Sequence, residues 1–212
     1  MGVDAIITQK MFEDGRLEQD GTSATIYIRD GLTENRRRFT IAHELGHRLL
    51  LHPRARAERF RRRVAGDDEE RFCDDLAAAI LLPRPWVQRE FSGAPRSLKT
   101  VRRLSAMTST SMSASLVRLA EVVRWPESLL RFRYVNDKWR LDAPAAVPVE
   151  IHGTIRTLPA TTDLLVHVGS QTRSDTRSRL PISLSGHAIE VPAELSVNRS
   201  VAMALVNFRG LR

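Results

Sequence analysis

The chain of 212 residues holds a single cysteine, Cys73, so no disulfide can form within it. Such usage fits a reducing compartment. Aromatic residues are only 6% of the chain, which leaves a core of Leu, Val, Ile and Ala. No stretch approaches the roughly 18 uninterrupted apolar residues of a membrane span. Met1 to Lys10 lacks the basic-then-apolar signature of a secretory leader. Gly2 is followed by Val3, Asp4, Ala5 and Ile6, without the hydroxyl residue of a myristoylation signal. Together these predict a cytoplasmic protein with no membrane partner. Internal repeats and low-complexity blocks are also missing. Charge is plentiful: 33 Lys and Arg against 25 Asp and Glu give a net +8. That balance is compatible with nucleic acid or an acidic partner. Arginine far outnumbers lysine, however, which base composition of the coding sequence would also produce.

The pattern along the chain predicts an α+β fold: a compact domain of strands and helices over 1–90, a helix-turn-helix-like segment over 91–126, and a small β-rich domain over 127–212. Asp14-Gly15 and Asp20-Gly21 are turn dipeptides, and Ala24 to Ile28 is β-branched and aromatic, as a strand requires. From Asn35 to Leu51, apolar Phe39, Ala42, Leu45, Leu49 and Leu50 recur at helical steps, and Pro53 ends the pattern. An arginine-rich stretch from Arg54 to Arg63 looks exposed. A second helix is expected from Asp67 to about Leu82, with Pro83 and Pro85 as stops. Ser97 to Val123 reads as two helices around a break. Beyond Trp125-Pro126, alternating runs at Val149–Ile155, Asp163–Val168, Ile182–Val191 and Val201–Phe208 predict strands.

The first helix carries His43-Glu44-Leu45-Gly46-His47, an HExxH pattern. Residues four apart share a helix face, so His43 and His47 can offer ring nitrogens to one metal ion. Glu44 lies about 100° round the helix, beside the metal, where a general base for a bound water belongs. The pattern arises by chance in on the order of one chain in a hundred of this size. Here it falls on a helix expected on other grounds. Catalytic zinc takes three protein ligands and keeps one position open. Downstream candidates are His52, Asp67, Asp68, Glu69, Glu70, Asp74 and Asp75. His52 suits a solvated helix end. Glu70 and Asp74 share a face of the second helix, so Glu70 can ligate while Asp74 accepts the other ring N–H of a ligand histidine. Two rivals stand beside this: Asp74 as the ligand, and Asp67-x-x-Glu70 as a capping box.

Phe39-Thr40-Ile41-Ala42-His43-Glu44-Leu45-Gly46-His47, followed by Glu70-x-x-Cys73-Asp74-x-x-Ala77-Ala78-x-Ile80-Leu81-Leu82-Pro83, resembles the ImmA/IrrE family of metallopeptidases. The resemblance covers about 22–90. It implies a zincin fold, zinc held by His43, His47 and Glu70, and Glu44 as base. It further implies a zinc endopeptidase acting on a helix-turn-helix transcriptional repressor, relieving repression of a mobile element or of a DNA-damage response. The chain departs from the family pattern at Asp74, where Asn is frequent; either side chain accepts a hydrogen bond from histidine. The family's N-terminal helix is expected to be short or absent. The order of parts also resembles the family's radiation-response regulators, whose final domain is a GAF-like sensor.

Other features have both a functional and a plain reading. Ala24 to Ile28 is either an edge that pairs with extended substrate or an ordinary sheet strand. Arg96, Lys99, Arg102, Arg103, Arg118 and Arg124 make 96–124 a candidate DNA contact, or the outer face of a helical hairpin. Arg36, Arg37 and Arg38 oppose the dipole of the helix they precede, and are expected in a solvated loop or against an acidic partner. Cys73 reads as a packed small residue. His152, His167 and His187 lack ligand spacing. The competing function is a DNA- or repressor-binding regulator that acts without proteolysis.

Overall fold

The computed structural model describes residues 2–51, 67–136, 138–145, 155–157, 176–184, 187–198 and 201–208. It is mixed α+β, with five helices and two sheets among the described residues. The expected runs at Val149–Ile155 and Asp163–Val168 lie largely outside them, as do His52, the Arg54–Arg63 stretch, His152 and His167. Two compact units are evident: Met1–Trp86 with Ala106–Ser111, and Val87–Ser105 with Met112–Arg212. No described helix is long and apolar enough to cross a membrane.

In the first unit, β1 (Ala5–Gln9), β2 (Gly15–Asp20) and β3 (Ser23–Arg29) form a sheet of order β1-β3-β2. β1 pairs parallel and β2 antiparallel with β3. The strand read from Ala24 to Ile28 is therefore central, with both edges taken, and cannot accept a substrate strand. Its alternating Ala24, Ile26 and Ile28 are fully buried, the period-2 pattern of a strand with one covered face.

α1 (Glu34–Leu51) follows. Thr33 caps it: its hydroxyl accepts from Arg36 N–H at 3.4 Å. Arg36, Arg37 and Arg38 thus lie in the helix and not in a loop. Arg36 is neutralised by an ion pair with Asp14, which also binds Arg29. α2 (Asp67–Leu81) opens on four acids, favourable at a helix N-terminus. α1 and α2 meet at Gly46, where a Cβ would lie 2.9 Å from both Cα and Sγ of buried Cys73. Only glycine permits that approach.

α2 ends at Leu81, as Pro83 and Pro85 predict, and α3 (Arg84–Phe91), which was not expected, follows. Proline lacks an N–H that the first turn would leave unused, so Pro85 starts a helix instead of barring one. In the second unit, Ser97 caps α4 (Leu98–Thr108), with Thr100 N–H donating to Ser97 Oγ at 3.2 Å. α5 (Met112–Val123) follows a break at Ser109, whose φ is 51°. Leu98, Val101, Leu104, Leu116 and Leu119 are fully buried.

The second sheet has order β5-β4-β9-β8-β7-β6 and is antiparallel throughout. Its strands are β4 (Glu127–Val135), β5 (Lys138–Ala145), β6 (Ile155–Thr157), β7 (Thr176–Leu184), β8 (His187–Asn198) and β9 (Val201–Asn207). The run read as Ile182–Val191 is a hairpin, split between β7 and β8 with Leu184 opposite His187. β4 and β5 were not expected, although Leu130-Arg131-Phe132-Arg133 alternates as a strand should. One sheet face gathers Leu130, Phe132, Leu180, Val191, Ala193, Leu195, Ala202, Ala204, Val206 and Phe208 into an apolar core.

Candidate metal centre

Helical spacing puts His43 and His47 on one face of α1, with their Nε2 atoms 3.2 Å apart. The acidic start of α2 supplies the rest. Glu70 brings one carboxylate oxygen to 3.3 Å from His43 Nε2 and the other to 3.6 Å from His47 Nε2. Asp74 Oδ1 is 2.8 Å from His43 Nδ1, and Glu69 Oε1 is 3.0 Å from His47 Nδ1. Both histidines are mostly buried, while Glu70 and Asp74 are largely exposed. The structure thus gathers His43, His47, Glu70 and Asp74 around one point, with Glu44 next to them on α1.

Hydrogen-bond chemistry says what that point wants. An ionised carboxylate only accepts, so each Nδ1 must carry the hydrogen. A ring with its hydrogen on Nδ1 alone then offers a bare lone pair at Nε2. Two such lone pairs and a carboxylate face one another with no donor between them, which a cation resolves. A tetrahedral ion with ligands at about 2.0–2.1 Å sets them about 3.3 Å apart. The separations of 3.2, 3.3 and 3.6 Å fit that spacing.

Cys73 also places Sγ so that it and the ligating nitrogens of His43 and His47 all lie within 4.8 Å of one another. Glu70 is the better third donor on physical grounds. Burial first, then the charges of Glu70, Glu69, Glu44 and Asp74, push the Cys73 thiol up to about 12. A bound cation would itself ionise a coordinating thiol, so packing and not this shift separates the two donors. The sulfur sits in the α1–α2 packing under Gly46.

Glu44 is 6% exposed. Burial pushes its carboxyl above the ordinary value; His47 and His43 oppose that, Glu70 adds to it, and the nearby Leu17 backbone N–H opposes it. Beside it opens a cleft of about 430 Å³ lined by Asp14, Gly15, Arg36, Phe39, Thr40, His43, Glu44, Glu70 and Asp74. Arg36 lies over the Phe39 ring, 5.6 Å from its centroid.

Sequence reasoning did not single out Glu69 as the partner of His47, although two ligand histidines need two acceptors and Glu69 precedes Glu70. It also passed over Gly15, Leu17 and Thr40. Thr40, one turn before Glu44, was the readable signal. Of the basic residues between 96 and 124, Arg118 is buried and paired with Glu121 at 2.9 Å, and Arg103 lies over Phe91, 5.5 Å from its ring centroid. Buried Arg118 is thereby removed from any phosphate contact.

The site is thus an HExxH helix packed against an acid-bearing helix, with the buried Glu44 carboxylate beside the two histidines. The chain belongs to the peptidase family described as the IrrE N-terminal-like domain, which matches residues 1–120. It is 28% identical over 129 residues to the radiation response metalloprotease IrrE of Deinococcus radiodurans. That match covers 57% of this chain and 37% of the relative, so the chain spans little more than a third of the relative's length. A solved structure described as a Mycobacterium tuberculosis transcriptional regulator is similar with a TM-score of 0.49 and 15% identity, covering 95% of this chain and 74% of that one.

Proposed function

We propose that this protein is a zinc-dependent endopeptidase whose substrate is a helix-turn-helix transcriptional repressor, cleaved to relieve repression under stress or in a mobile element. In this reading 1–90 is the zincin-like hydrolytic part, 91–126 a helical segment, and 127–212 a β-rich part that senses the triggering signal. His43, His47 and Glu70 hold the metal, Asp74 and Glu69 fix the two ring tautomers, and Glu44 is the general base. Two imidazoles and one carboxylate are a donor set that suits zinc. When bound, zinc would supply Lewis-acid polarisation and a water acidic enough to react near neutral pH.

The chain's own residues do the rest. Glu44 takes a proton from the attacking water and gives it to the leaving amine nitrogen. Its burial raises its proton affinity, as that double role needs. Phe39 and Arg36 form a cleft wall with an apolar and a cationic element against which a substrate side chain can lie. The observation that carries the reading is the convergence of three acceptors, with a buried carboxylate beside them. Support for a peptidase role comes from the family and from the description of the Deinococcus radiodurans relative as a radiation response metalloprotease; the repressor as substrate rests on the family resemblance of the sequence motifs.

The test incubates zinc-loaded wild type and Glu44→Gln with repressors encoded beside the gene, and reads fragments by mass spectrometry. The wild type should yield discrete fragments. The variant should keep its zinc and lose a factor of roughly 10² to 10⁴ in rate. Relief of repression by the variant at the wild-type level would replace hydrolysis with a binding mechanism.

A further inference from the structure

Strand β2 is docked along the metal-bearing helix. Asp14 C=O accepts from Arg29 N–H at 3.0 Å, so 14 and 29 form a hydrogen-bonded pair. By antiparallel alternation, Gly15, Leu17 and Gln19 turn their backbone groups away from β3. All three residues meet one buried stripe of α1. Gly15 lies against Thr40 and Glu44, the Leu17 backbone N–H is on the side of the Glu44 carboxylate, and Gln19 Oε1 accepts from Arg48 Nη1 at 2.8 Å. The match has a simple cause. Alternate strand residues are about 6.8 Å apart, and helix residues four apart about 6 Å.

Two features of this contact cost stability. Glycine within a strand loses backbone entropy and packs nothing. A Cβ at 15 would overlap Thr40 Cγ2 and stand 2.8 Å from Glu44 Oε1. The Thr40 hydroxyl is buried with no hydrogen-bond partner among the described residues, although a helical threonine ordinarily bonds the carbonyl one turn back. Both features border the same carboxylate.

We propose that Gly15 and Thr40 are positioning residues for Glu44: the bare backbone of β2 presses the Leu17 amide onto the carboxylate, and the Thr40 hydroxyl is the second donor it meets on turning into the cleft. The proposal rests on the reading of Glu44 as the base.

The test compares Gly15→Ala, Thr40→Val, Thr40→Ser and the double variant Gly15→Ala/Thr40→Ser on a quenched fluorescent peptide, with zinc content and melting recorded. Gly15→Ala should lower kcat roughly tenfold or more, the rate equivalent of one hydrogen bond. Its KM should stay within about twofold and its zinc should be intact. Thr40→Ser deletes the methyl that the new Cβ would strike while the contact with Glu44 Oε1 remains, so the double variant should recover part of the loss. Thr40→Val keeps the shape and drops the hydroxyl. It should lose roughly tenfold in kcat yet melt no lower than wild type, because no hydrogen bond is broken. Wild-type kcat in Gly15→Ala, a double variant no better than Gly15→Ala, or melting that falls in step with kcat in Thr40→Val would each overturn the proposal. A readout free of substrate and zinc separates it from the peptidase reading. The Leu17 amide proton should resonate far downfield and move upfield in both Glu44→Gln and Gly15→Ala. An unmoved resonance in Gly15→Ala sinks the clamp. A wild type that cleaves nothing but shows these shifts sinks the peptidase reading and leaves the clamp standing.

Discussion

The large sheet's buried face is mainly apolar, whereas the apolar face of the small sheet is covered by a helix that buries a polar stripe. In the large sheet, one face collects ten apolar residues from Leu130 to Phe208, with buried Ser128 beside them. Beside the small sheet, α1 buries Thr40, Glu44 and Arg48 in one stripe. Apolar burial is favourable by itself at roughly 25 cal/mol per Å², and shape can be exchanged within it at modest cost. Polar burial is unfavourable unless every group finds a partner. Arg48 does, donating to Gly2 O, Gln19 Oε1 and Thr22 O at 3.2, 2.8 and 2.8 Å. Glu44 is only partly satisfied, and Thr40 has no partner among the described residues. The large sheet is arranged for stability, whereas the small sheet gives up some stability to hold a carboxylate in place.

That contrast can be attacked from either side. The largest effect is expected from His43→Ala, which removes one of three donors: bound zinc by elemental analysis and peptidase rate should both vanish, while the β-sheet circular dichroism persists. Phe132→Ala should cost about 3–5 kcal/mol in urea unfolding and leave zinc affinity in the folded protein unchanged. A parallel fall in zinc affinity would mean the two cores are not separable. Glu69→Ala should weaken zinc binding roughly 10- to 100-fold by competition with a chromophoric chelator, with Asp74→Asn milder because an amide oxygen still accepts from Nδ1. The smallest effect belongs to Asp14. Its hydrogen bond from Arg36, then that from Arg29, holds its carboxyl below the ordinary value. A lowered folded value stabilises the protein above the ordinary carboxylate range, and that contribution is lost as pH falls through the lowered value. Asp14→Asn should flatten the acid limb of stability. At neutral pH it should cost no more than about 1 kcal/mol, since both arginines are well exposed.

Much of the first unit was legible because its signals are local. The helical periods of α1 and α2, the four-residue spacing of His43 and His47, and the alternation through Ala24, Ile26 and Ile28 need only neighbouring residues. α3 was not anticipated because the prolines that do end α2 also fit the first turn of a new helix. β7 and β8 were merged because the sequence between them, Ser185-Gly186, is no Asn-Gly or Asp-Gly pair. The role of Ala24 to Ile28 stayed open between a substrate edge and an ordinary strand for a different reason. Strand order depends on which later segment pairs where, and no local pattern encodes that β1 crosses to the far side of β3.

The sequence alone determined that two imidazoles share a helix face with a glutamate one step away, because the helix repeat is fixed by backbone geometry. Only the tertiary structure decided which acids approach which ring nitrogen, since Glu69, Glu70 and Asp74 lie on α2 and their reach depends on how closely Gly46 lets the helices pack. Tertiary structure likewise turned Gly15, a turn residue by its spelling, into the point where a strand backbone meets the Glu44 carboxylate.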